Sequence, residues 1–117
     1  MGNRKQFGNL GEDYAVKLLE NKGYKIIDRN FRTKFGEIDI VAQDGDVLVF
    51  VEVKTRHSRK YGKPEEAVTP RKIFRIKKAG EYYLLIHKNM PKKLRIDVVA
   101  IEVEGKVVTS AKIIKVG

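Results

Sequence analysis

Apolar side chains recur at helical spacing in the first segment of the chain: Phe7, Leu10, Tyr14 and Leu18, with Ala15 and Leu19 beside them, between Gln6 and Lys22. That period lays a single stripe along a helix, and Gly23 stands where a helix commonly ends in a left-handed glycine. The pattern then changes to that of strands. Tyr24 to Phe31 predicts a first strand, which Arg32-Thr33-Lys34 turns into two further runs, Gly36-Glu37-Ile38-Asp39-Ile40-Val41 and Phe50-Val51-Glu52-Val53-Lys54-Thr55-Arg56. The link between these runs contains Asp44-Gly45, a favoured two-residue hairpin loop in which both residues take positive φ. With that loop, Val41 faces Leu48, Asp39 faces Phe50 and Glu37 faces Glu52. Thr69-Pro70 opens a second helix, with Thr69 as cap and Pro70 at the first helical position. Its inward stripe is Ile73, Ile76, Ala79, Tyr83 and Ile86, while Gly80 weighs against an unbroken helix. Pro91 closes the region, Leu94 to Val103 is a strand, and Glu104-Gly105 turns it into a last strand from Lys106 to Val116. Helix, three strands, helix and two strands make an α/β domain, a mixed sheet covered by helices.

Period-two alternation sorts the central hairpin into faces. Ile38, Ile40, Ala42, Val47, Val49, Val51 and Val53 lie on one; Glu37, Asp39, Val41, Leu48, Phe50, Glu52 and Lys54 lie on the other. Apolar residues on both faces mark strands in the middle of a covered sheet, where an ionised carboxylate is costly unless a cation compensates it. Asp39 and Glu52 are diagonal neighbours, with Cβ atoms up to about 7–8 Å apart, near enough to hold one ion between them. Lys54 stands one step further along the same face. The alternative is a half-exposed hairpin with a surface Glu52-Lys54 pair. Glu12 lies three and seven residues before Ala15 and Leu19, at the edge of the helical stripe, so its carboxylate can point toward the sheet. Asn9-Leu10-Gly11-Glu12 equally fits a capping box with Asn9 as N-cap, and spacing leaves both roles open. Asp97 sits in a run that echoes the one around Asp39, but without a partner run, and reads as a structural acid.

Charge adds a partner class. The net charge is +10, and ten basic residues (Lys54, Arg56, Arg59, Lys60, Lys63, Arg71, Lys72, Arg75, Lys77 and Lys78) against Glu65 and Glu66 give the segment from Lys54 to Lys78 +8 of it. Such a band attracts polyanions, nucleic acid first and anionic membrane second; the alternative is a well-solvated lysine-rich surface. The absence of cysteine excludes a disulfide framework, a thiolate zinc site and a cysteine nucleophile, and two histidines, His57 and His87, are too few for a histidine-based metal site. No apolar run approaches the roughly 20 residues of a membrane span, and Met1 to Gln6 precede no apolar leader core. A cytoplasmic protein without a membrane partner is expected.

An acid on the second strand, Glu-x-Lys on the third and a glutamate on the preceding helix together resemble the PD-(D/E)xK nuclease superfamily. More closely, Gly11-Glu12, Gly36-Glu37-Ile38-Asp39-Ile40-Val41, Val51-Glu52-Val53-Lys54-Thr55-Arg56 and the stretch from Ala67-Val68 to Lys72 resemble the YraN-like family of predicted endonucleases, itself similar to archaeal Holliday-junction resolvases. Ile38 takes the place of the superfamily's proline before Asp39. The resemblance spans nearly the whole chain. It implies a restriction-endonuclease-like core in the order αβββαββ, a single nuclease domain over residues 1–117, metal ligation by Asp39 and Glu52, a catalytic Lys54, and a place for Glu12 in the site.

The expected function is hydrolysis of phosphodiester bonds in DNA, including branched or flapped structures. Asp39, Glu52, the Val53 carbonyl and Glu12 would hold Mg²⁺ or Mn²⁺, as hard oxygen donors do. Arg56, Arg59, Lys60, Lys63, Arg71, Lys72, Arg75 and Lys78 would bind nucleic acid, RNA not excluded. The rival is a non-catalytic nucleic-acid-binding module of the same fold. A homodimer would suit a junction enzyme, and no exposed apolar stripe in the sequence demands one.

Overall fold

The computed structural model describes residues 2–57 and 68–116, with side chains from residue 10 onward. The elements are α1 (Gly2–Asn21), β1 (Lys25–Thr33), β2 (Gly36–Asp44), β3 (Val47–Arg56), α2 (Pro70–Ile86), β4 (Lys93–Glu104) and β5 (Val107–Lys115). This is the expected order αβββαββ. The five strands lie in sequence order in one mixed sheet, antiparallel except for the parallel pair β3 and β4. A parallel pair needs a long crossover, and α2 lies within it.

The two helices cover opposite faces. Ala15 and Leu19 of α1 pack with Ile40, Ala42, Val49, Val51, Val99 and Ile101. Ile76, Ala79 and Tyr83 of α2 pack with Ile38, Val41, Leu48, Phe50 and Ile96. The central strand β3 is therefore buried on both sides. Gly23 (φ +93°) ends α1 in a Schellman arrangement, with Tyr24 N–H donating to the Leu19 carbonyl and Gly23 N–H to that of Glu20. Thr69 caps α2 by accepting from the Lys72 N–H at 3.2 Å, and Pro70 follows at the first position. The helix continues through Gly80 because the absent side chain is what lets it approach the sheet: an added Cβ would lie 2.5 Å from the Phe50 ring.

Four expectations need correction. The loop between β2 and β3 is Gly45-Asp46, since Asp44 pairs with Val47. Gly45 at φ +62° occupies the first loop position, where type II′ turns place glycine. Every partner thus moves by two residues, but an even slip leaves each side chain on its face. Second, α1 starts at Gly2, so Glu12 is interior to the helix and caps nothing. Third, α1 buries Glu12, Ala15 and Leu19 while Leu10 and Tyr14 are exposed, and Ile86 of α2 is exposed as well. Fourth, Ile38 belongs to the α2 side and Ile40 to the α1 side, although two residues apart they should share a face.

Candidate active site

The break in alternation at Ile38 and Ile40 is matched across the ladder. Arg29 pairs with Ile40 and points to α1; Phe31 pairs with Ile38 and points to α2. Between Arg29 and Phe31 stands Asn30 at φ +55°, a left-handed residue inside a strand. Asparagine tolerates that conformation better than most side chains, and one such residue rotates the following side chains to the other face. Asp39 lies opposite Asn30, at the crossing point. The ladder between β2 and β3 runs only as far as Ile40 and Val51. Beyond it the Asp39 carboxylate takes over from the ladder, accepting from the Val53 N–H at 2.8 Å.

In line with the corrected register, Asp39 stands across from Glu52, not diagonal to it. The two carboxyl groups are close enough to share a proton. Burial first, then Glu52, push the Asp39 carboxyl up to about 7, against the opposing pull of the Val53 N–H and the Lys54 ammonium. Lys54 follows on β3, with the Lys72 amine of the first turn of α2 against it. That neighbour, together with burial, lowers the Lys54 pKa, and Glu52 opposes the change. Gly11 lets α1 approach the same end of β3, because a Cβ there would collide with the Thr55 side chain.

Glu12 does not join the pair. It is buried at 7% exposure, as its spacing predicts, but its Oε1 accepts from Arg29 Nε at 2.9 Å and from Asn30 Nδ2 at 3.0 Å. Glu12 thus holds the residue that creates the kink opposite Asp39. Among the described residues no three acidic or histidine side chains gather in one metal-binding group. The donor set is two carboxylates in contact. Burial and the second carboxyl favour a proton on Asp39, and hard oxygen donors of this kind suit a divalent ion in its place.

Of the expected nucleic-acid contacts, Arg71 and Arg75 are exposed on the first turns of α2, with Lys72 and Lys78 half-buried beside them. Arg56 ends β3 with a buried Nε that has no hydrogen-bond partner among the described residues. Arg59, Lys60 and Lys63 lie outside the described residues. Asp97 is wholly buried on β4, in register with Val51, accepting from Tyr24 Oη at 2.6 Å and Arg95 Nε at 2.7 Å, while Arg95 also donates to Asp44 at 2.8 Å. It is a structural acid, as its lack of a partner run suggests. Burial, with Asp97, pushes the Tyr24 hydroxyl up to about 12. Asn30 and two exposed rings, Phe35 and Phe74, belong to none of the sequence motifs. Phe74 was detectable, for it falls outside the inward stripe of α2 and three residues from Arg71.

The profile of the Uncharacterised protein family UPF0102 matches residues 11–101, a span that includes Glu12, Asp39, Glu52 and Lys54. A UPF0102 protein of Syntrophomonas wolfei is 50% identical over 100 residues, covering 86% of this chain and 87% of its own. UPF0102 proteins of Dictyoglomus thermophilum and Caldicellulosiruptor bescii are 46% and 49% identical, each over more than four-fifths of both chains. No helix among the described residues is long and apolar enough to cross a membrane.

Proposed function

The chain belongs to the UPF0102 family, and from that premise we propose that it is a metal-dependent endonuclease that hydrolyses phosphodiester bonds in DNA. The observation that carries this reading is the contact of Asp39 with Glu52, where burial and a second carboxyl raise the Asp39 pKa to about 7. Asp39, Glu52 and the Val53 carbonyl would hold Mg²⁺ or Mn²⁺. When bound, the ion supplies Lewis acidity toward phosphate oxygen and water. The remaining work falls to the chain. The Val53 N–H fixes the Asp39 carboxylate. Lys54, its pKa lowered by Lys72, is poised to take a proton from water or to stabilise charge on the phosphate. Lys72, Arg71 and Arg75 draw the backbone toward that amine.

The test is incubation with linear, flapped and four-way-junction DNAs in Mg²⁺, Mn²⁺ or EDTA. Metal-dependent cutting that disappears in Asp39→Asn and Glu52→Gln supports the proposal; no cutting of any substrate overturns it. A non-catalytic binding module is the second reading. It is favoured by Glu12, whose carboxylate is taken up by Arg29 and Asn30, and it predicts retained DNA affinity without turnover.

A further inference from the structure

The outer face of α2 is built differently from its inner one. Arg71, Phe74, Arg75, Lys78 and Tyr82 recur at helical spacing along it. Phe74 is 60% exposed and Phe35, at the turn between β1 and β2, is 43% exposed. Both rings line the same two hollows between that turn and the helix. Each has an ammonium over it, Lys34 Nζ at 5.3 Å from the Phe35 centroid and Lys78 Nζ at 5.5 Å from that of Phe74. Phe35 is held out by a fixed turn. Thr33 Oγ1 accepts from the Phe35 and Gly36 N–H groups at 3.0 and 3.2 Å and donates to the Gly36 carbonyl at 2.9 Å.

Two exposed aromatic rings among cations form a surface for flat, anionic partners. Arg32, Lys34, Arg71, Arg75 and Lys78 surround it, and among the described residues the acids beside it, Glu37 and Glu81, are each paired with a cation, Arg32 and Lys78. A second copy of the chain would bring the same cations against these. A single strand of nucleic acid matches both features, since its bases stack on aromatic rings while its phosphates meet Arg and Lys. The surface is continuous with the acid pair. Gly36 packs on Arg75, where an added Cβ would lie 3.4 Å from the arginine's own, and Asp39 follows three residues on, about 10 Å along the strand.

We propose that the groove between the β1–β2 turn and the outer face of α2 is a stacking platform for unpaired bases, so that the substrate carries a single-stranded segment beside the scissile phosphate. This rests on the nuclease reading for its link to cleavage, but not for the binding itself. The experiment is therefore done in EDTA, with the whole chain, reading fluorescence anisotropy of a labelled oligothymidylate and of a duplex of equal length. Phe74→Ala and Phe35→Ala should each weaken single-strand binding about tenfold, with duplex binding changed less than about twofold and the salt slope unaltered. Phe74→Tyr, which keeps a ring, should restore single-strand affinity. Arg71→Gln with Arg75→Gln should instead lower the slope of log K against log salt by about two on both probes. Equal losses on both probes, or none, would overturn the platform. So would a wild-type dimer in sedimentation that Phe74→Ala dissociates, since the occupant would then be a second copy. Single-strand binding through these rings by a protein that never cuts would leave the platform standing and remove the nuclease reading.

Discussion

Lys54 is set apart by Lys72 at the start of α2, because two amines in contact cannot both hold their protons comfortably. Lys54→Ala should lose on the order of 10²–10⁴-fold in cleavage and keep DNA affinity within a few-fold. Wild-type cutting by that variant would remove Lys54 from the chemistry. Asp39 gives the pH dependence. Its folded pKa, about 7, lies above its ordinary value of 3.8, so between those values the folded chain binds a proton that the unfolded chain has released. Stability of the metal-free protein should therefore fall as pH rises from about 4 to about 7 and level off above. Mn²⁺ affinity should rise over the upper part of that window, with proton release on binding. Calorimetry in two buffers of different ionisation enthalpy reads the proton, and thermal midpoints in EDTA at pH 5.5 and 8 read the stability. Asp39→Asn should flatten both, and a pH-independent difference between variant and wild type would refute the assignment. The pairing of Asp39 with Glu52 was legible in the sequence even though the predicted loop was wrong, because a two-residue slip preserves faces. Asn30 was not, since a polar residue in a strand reads as an outward-facing side chain whatever its φ.

Helix α2 was legible almost entirely, because Thr69-Pro70 and a regular stripe specify its start and its buried side independently. Gly80 was misjudged there, since a propensity argument counts the cost of glycine in a helix and cannot see the Phe50 ring against it. Gly80→Ala should gain up to about 1 kcal/mol of helix propensity and lose more to overpacking, typically 1–3 kcal/mol. A net loss of stability in urea denaturation is expected; a gain would mean that the Phe50 ring moves aside. Helix α1 was less legible. Its stripe was assigned to Leu10 and Tyr14 together with Ala15, Leu18 and Leu19; Ala15 and Leu19 are buried as expected, but Leu10 and Tyr14 are exposed and Glu12 is buried with them instead. Gly11 and Ala15 let the helix come near the sheet, and Arg29 and Asn30 compensate the Glu12 carboxylate that arrives with them.

The sheet carries two distinct polar arrangements. The pair at Asp39 and Glu52 sets two carboxyls against each other, whereas Tyr24, Asp44, Arg95 and Asp97 satisfy one another across segments up to 73 residues apart. Arg95→Met would leave Asp97 buried without its cation and should cost about 3–5 kcal/mol, measured by urea denaturation. A smaller effect would mean that Tyr24 alone suffices. The whole topology was readable as an order of elements, but the two-layer division of residues was not, because it changes hands at Asn30 and Asp39. That crossing has a consequence for anyone seeking a hardier variant. Strand propensity recommends valine at position 30, yet a β-branched residue at φ +55° is strained by roughly 1–3 kcal/mol. Either the strain remains and Asn30→Val is less stable, or the strand straightens and withdraws Asp39 from Val53 and Glu52. Asn30→Gly, which accepts the kink, should keep Mn²⁺ binding where Asn30→Val loses it or unfolds sooner. If valine preserves both, the crossing is incidental. Otherwise the acid pair owes its existence to a fault in the weave, and a library selected only for robustness would mend the fault and discard the pair.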